Sequence, residues 1–224
     1  MDPARILLIT VLWLTALAQP GQASMLHYSD YDATRASTIL FNVEVSPGNM
    51  QEQLHTVGVM SIQVDGGPTL SAFCADLFTG IASNNTYTTS LQSANAAPYT
   101  RIAWLMANVL PGIISGSGTA QQQGAALQLA IWDIIHDNGN GLQAGVIQQS
   151  GNTDAAVAAY ASAYLGATWA PTLGLTIYHN TFPNTTFAAQ DLVSYSPGVP
   201  EPATMGLSGL ALAALFVLGR SQRK

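Results

Sequence analysis

The sequence predicts an α+β domain: a β-sandwich with an inserted or packed helical block, flanked by a signal peptide and a C-terminal transmembrane helix. Three observations predict it. Strand-like runs broken by Gly-containing turns fill residues 38–77, the apolar period turns helical from Pro98 onward, and strand-like runs return after residue 172. The expected boundaries are 1–23 for the signal peptide, 24–196 for the folded domain and 197–224 for the C-terminal segment.

Taken in order, Arg5 precedes an apolar run over residues 6–17 that ends in small residues, the pattern of a secretory signal peptide cleaved after Ala18 or Ala23. Residues 39–45 and 57–64 then read as strands, separated by turn signals at Pro47-Gly48 and Asp65-Gly66-Gly67, and residues 70–77 read as a third. Residues 101–108 are helical and end at Pro111-Gly112. A loop rich in Gly and Ser leads into a second helix over residues 120–136, stopped by Asp137-Asn138-Gly139. Residues 153–165 are Ala-rich and predict a third helix, and residues 173–178 and 189–195 close the domain as strands. Gly139-Asn140-Gly141 fits a loose dinucleotide fingerprint but follows a helix, so it reads as a turn.

At the C-terminus Pro200-Glu201-Pro202 precedes an apolar run over residues 203–219 and a basic end with Arg220, Arg223 and Lys224. As a helix this run would span about 25 Å, slightly less than a hydrocarbon core of ~30 Å. The basic end favours the cytoplasm, which places everything before Pro200 outside it. The two prolines keep the chain extended, as a protease requires. This arrangement resembles the PEP-CTERM sorting signal of exported bacterial proteins. The resemblance implies recognition and cleavage near Pro200, Glu201 and Pro202 by an exosortase, a membrane protease. It also implies transient residence in the inner membrane of a Gram-negative bacterium, then the cell surface or an extracellular biofilm matrix.

Between the two ends only Arg35 and Arg101 are basic, against ten acidic residues, and Lys224 is the sole lysine of the chain. A nucleic-acid binder needs a basic surface to meet phosphates, so that class is excluded. The four histidines are scattered without zinc-type spacing, and no metal or cofactor is expected. One cysteine, Cys74, rules out an internal disulfide, and an unpaired cysteine in an exported chain calls for an explanation.

On the second helix Gln128, Trp132 and Ile135 recur at i, i+4, i+7 and share a face. Gln128 thus points to the apolar side, where an unpaired amide costs roughly 1–3 kcal/mol. Gly124 and Ala125, one turn earlier, leave room for another backbone, expected to be the strand that carries Cys74. Phe73-Cys74-Ala75-Asp76-Leu77 and Leu127-Gln128-Leu129-Ala130-Ile131-Trp132-Asp133-Ile134 together resemble the two signature motifs of bacterial surface thioester domains. That resemblance implies an internal thioester between the Cys74 sulfur and the Gln128 carbonyl, formed with loss of ammonia. Trp132 would shield the bond from water, and Phe73 would support the cysteine.

The expected function is covalent adhesion without enzymatic turnover, with an amine or hydroxyl of an unidentified surface or polysaccharide target attacking the thioester. The alternative is a non-reactive structural component of the extracellular matrix, with Cys74 a small core hydrophobe. A mature chain without lysine has no side-chain amine to consume its own thioester. His136, at the end of the second helix, reads as a capping residue. A hydrolase pairing Cys74 with His136 or His179 lacks any recognisable sequence context.

Overall fold

The computed structural model describes residues 23–196 except positions 117, 184 and 186. Residues 1–22 of the expected signal peptide, the apolar run 203–219 and the tripeptide Pro200, Glu201, Pro202 lie outside the described residues. Among the described residues no helix is long and apolar enough to cross a membrane.

Among the described residues seven strands and four helices follow in the order β1 (Ser24–Ser46), β2 (Asn49–Val64), β3 (Leu70–Cys74), β4 (Asn85–Ser93), α1 (Tyr99–Asn108), α2 (Leu110–Ser115), α3 (Ala120–Asp137), β5 (Ile147–Gln148), α4 (Ala155–Leu165), β6 (Leu175–Thr181) and β7 (Leu192–Tyr195). The α+β class and the helical block between strands are as the sequence predicts. The expected sandwich of two sheets is not what forms. All strands join one antiparallel sheet of order β2-β3-β7-β6-β4-β1-β5, and β2 also pairs with β1. Six strands thus close into a ring. The closure comes from the first part of β1, where Leu26 pairs with Val64 of β2 on one side and with Tyr87 of β4 on the other. Closure removes the sheet edges that would otherwise invite pairing with another chain.

Past the ring, β1 and β2 continue as a two-stranded arm, with Ala36 to Ser46 facing Asn49 to Gly58 around the turn at Pro47-Gly48. The ring and arm are joined by an excursion. Tyr31 pairs with Met60 and Ala36 with Gly58, so residues 32–35 of β1 face the single residue Val59. Asp32 accepts from the Thr34 N–H and pairs with the Arg35 guanidinium. Arg35 also donates to the Ile114 carbonyl at the end of α2, and Gln121 of α3 donates to the Ala33 carbonyl.

Helix α3 packs against the arm and against α4. Every residue from Gly124 to Ile134 is buried, so its centre is covered on all sides and not along one stripe only. It stops where Asn138 turns left-handed at φ 58° and the Gly139 N–H returns to the Asp133 carbonyl at 3.1 Å. Asp154 caps α4 by accepting from Ala156 and Val157 N–H groups. Helix α2 extends past Pro111-Gly112, where the sequence suggested an end, because proline is tolerated in a first helical turn.

Gly124 admits a backbone, but not the one expected. A Cβ there would lie 2.0 Å from the Arg35 carbonyl oxygen, and a Cβ on Gly58 would lie 2.5 Å from the same oxygen. The excursion from β1 therefore occupies the space that the sequence suggested for the Cys74 strand. Gly124→Ala should destabilise the domain by about 1–3 kcal/mol, read as a lower urea midpoint with unchanged slope. An unchanged midpoint would show that the excursion gives way freely.

Candidate functional site

Cys74 is the last residue of β3, between β2 and β7. Its neighbours pair normally: Ala72 with Met60 of β2, and Phe73 with Val193 of β7. Beyond Met60, strand β2 turns away toward Gly58 and the arm. On that side the peptide groups of Cys74 have no strand to meet. Gln128 of α3 replaces it. The Cys74 N–H donates to Gln128 Oε1 at 2.9 Å, and Gln128 Nε2 donates to the Cys74 carbonyl at 2.8 Å. The side-chain amide thus acts as one more peptide unit of the sheet. Gln128 is 0% exposed and Cys74 1%. The structure brings together the two residues that the sequence singled out, 54 positions apart.

The sulfur itself sits 3.3 Å from Met60 Sδ and 3.7 Å from Tyr31 Oη. Burial pushes the thiol up to about 12, against a smaller lowering by its contact with Tyr31. At neutral pH it is a protonated thiol, and its reaction needs the proton taken away. Burial, reinforced by Cys74, also raises the Tyr31 hydroxyl above its ordinary range.

Trp132 lies one turn after Gln128, 2% exposed, with its ring 5.9 Å from Phe41 and 6.3 Å from His55. Phe73 is wholly buried. A cavity of about 340 Å³ opens beside them, lined among others by Tyr31, His55, Thr56, Phe78, Trp132 and Gln190. Tyr31 both lines this cavity and touches the sulfur, so its side chain lies between the cavity and Cys74. Burial lowers the affinity of His55 for a proton.

His55 and Tyr31 are absent from the sequence expectation. Tyr31 lies in the polar run Ser29-Asp30-Tyr31-Asp32, with no periodicity to mark it, and His55 is the lone ring in an exposed-looking strand. His136 does not act as a helix cap: its ring meets Phe78 edge to face at 5.8 Å, and its Nε2 is buried without a partner among the described residues. His179 is drawn elsewhere, to Asp191 at 2.7 Å and Gln92 at 3.0 Å.

Comparison with known proteins agrees with this geometry. Residues 71–167 match the thioester domain family, a span that holds both Cys74 and Gln128. Residues 198–224 match the PEP-CTERM protein-sorting motif. The chain therefore carries a span matching the thioester domain, followed by one matching the PEP-CTERM protein-sorting motif. The motif implies processing by exosortase, a membrane protein, and the two together describe an exported cell-surface protein. Among solved structures, the chain is similar to the N-terminal domain of the Streptococcus pyogenes pilus tip adhesin Cpa, at 14% identity and a TM-score of 0.41, over 76% of this chain and 98% of that one. That likeness is too distant to define the fold. No curated protein matches the chain.

Two outcomes are expected from substitutions here. Gln128→Ala leaves the buried Cys74 N–H and C=O unpaired and should cost at least about 2 kcal/mol, measured by urea denaturation. Five residues along α3, Asp133 is wholly buried, and burial pushes its carboxyl up to about 6, beyond what the Gly141 N–H offsets. A raised folded value favours the neutral acid. Its stabilisation is complete below the ordinary carboxyl range near pH 4 and is lost as pH rises through about 6. Asp133→Asn should therefore stabilise the protein at pH 8 and change little at pH 4, as read from melting temperatures.

Proposed function

We propose that this protein is a covalent adhesin that works through a Cys74–Gln128 thioester. The Cys74 sulfur adds to the Gln128 carbonyl carbon and ammonia leaves. An amine or hydroxyl on a target then reaches the carbonyl through the cavity at Tyr31 and Trp132. The target ends joined to Gln128 through an amide or ester, and the Cys74 thiol is restored. Each molecule reacts once, so this is attachment and not enzymatic turnover.

The observation that supports this reading is the pairing of the Gln128 amide with the Cys74 backbone in a buried site beside a cavity. Pre-set geometry of this kind supplies much of what such a condensation requires. Burial also keeps water from the thioester, and Trp132, one turn from Gln128, walls the cavity on the helix side. The sequence between the two targeting ends has no lysine, so the acceptor amine comes from another molecule. In this reading the chain passes the inner membrane of a Gram-negative bacterium, is released by exosortase near Pro200, Glu201 and Pro202, and acts at the surface or in the surrounding matrix.

Methylamine tests the reading. Incubated with the native protein, it should convert Gln128 to its methylamide, about 14 Da heavier than the free amide, as mapped by peptide mass spectrometry. Cys74→Ala should abolish the label. A wild-type chain that takes up none would favour the alternative, a sorted matrix component with a buried, unreactive cysteine.

A further inference from the structure

We infer that Tyr31 is a catalytic residue of this reaction, its hydroxyl passing a proton between the Cys74 sulfur and the nitrogen that attacks or leaves the Gln128 carbonyl. The inference rests on the thioester reading and assigns the proton transfers that it requires.

Two side chains contact the sulfur by hydrogen-bond geometry, Met60 and Tyr31. A thioether has no proton to give, so Tyr31 Oη alone of the two can exchange one. The same side chain lines the cavity by which an acceptor would arrive. Its position is also fixed from several directions. Tyr31 pairs with Met60 across the sheet, and its ring meets Tyr28 edge to face at 6.2 Å. The excursion that begins at the next residue is held by the Gln121 bond to Ala33 and the Arg35 bond to Ile114.

The chemistry needs such a group. A sulfur whose thiol is held up to about 12 is a poor leaving group as a bare thiolate. In discharge, the amine lone pair attacks the Gln128 carbonyl carbon. The C–S electron pair returns to sulfur as the Tyr31 hydroxyl gives its proton to it. The phenolate oxygen then takes a proton from the new, positively charged nitrogen. One N–H proton has moved to Cys74, and Tyr31 is unchanged. Formation is the reverse course: the thiol proton passes to Tyr31, and the Tyr31 proton to the departing nitrogen, which leaves as ammonia. The titratable groups facing this pair are Asp30 and Tyr28 beside Tyr31, Asp76 beside Cys74, and His55 across the cavity.

The test is the rate of methylamine incorporation at Gln128 in the full chain, measured from pH 6 to pH 9. Tyr31→Phe keeps the ring and removes the hydroxyl, and should slow incorporation on the order of 10²-fold. Incorporation at the wild-type rate overturns the inference. A fluorotyrosine in place of Tyr31 keeps the packing and makes the phenol more acidic. It should displace the pH profile, and an unmoved profile overturns the inference even if Tyr31→Phe fails to fold. A wild-type chain that incorporates no methylamine removes the thioester reading, and this inference falls with it. Normal wild-type labelling with an indifferent Tyr31→Phe removes the inference alone.

Discussion

The two hydrogen bonds between the Gln128 amide and the Cys74 peptide groups hold the working part of this molecule together. They fasten the end of a central strand to the middle of a buried helix, and both partners lie out of reach of water. In such surroundings an unmade hydrogen bond is expensive and a made one is strong. Strand β2 must leave β3 after Met60 for the gap to exist, and α3 must run close enough to fill it. The turn of β2 into the arm, the excursion of β1 and the small residues of α3 are all consistent with that one requirement.

A second contact sets how closely helix and sheet approach. The Arg35 carbonyl lies against Gly124 of α3 and Gly58 of β2, at distances no Cβ would permit. Gly58 adopts φ +134°, a conformation that side-chain-bearing residues rarely take. Because residues 32–35 are gathered into this notch, Tyr31 is held at the sulfur and also at the wall of the cavity. The same excursion that lets the ring and arm share one strand thus supplies the site with its hydroxyl.

Much of the site was legible in the sequence, and the reason is local. Gln128 and Trp132 lie on one helix at fixed spacing, and a single cysteine preceded by Phe73 leaves little ambiguity about its partner. Helices α3 and α4 are legible nearly to their ends because Asp154, Asn138 and Gly139 mark their boundaries chemically, whereas α2 hides behind Pro111 and Gly112. The sheet was harder. Ring and sandwich share the same alternation of inward and outward residues, and closure depends on Leu26 meeting two strands at once. The start of β1 and all of β4 carry no clear strand signal. Each has only a few inward residues, such as Leu26 and Tyr28 or Tyr87 and Thr89, among Ser, Asp and Thr. Tyr31 and His55 reach the site by strand register alone, which no short sequence window contains.

The most direct test is the intact mass of the exported protein, set beside its Cys74→Ala variant carried through the same processing. Condensation of thiol with amide expels ammonia, so the wild type should weigh about 17 Da less than its sequence requires, while the variant shows no deficit. A freshly prepared wild-type protein of full sequence mass would contradict the account, leaving Gln128 as a structural amide that completes the sheet beside Cys74.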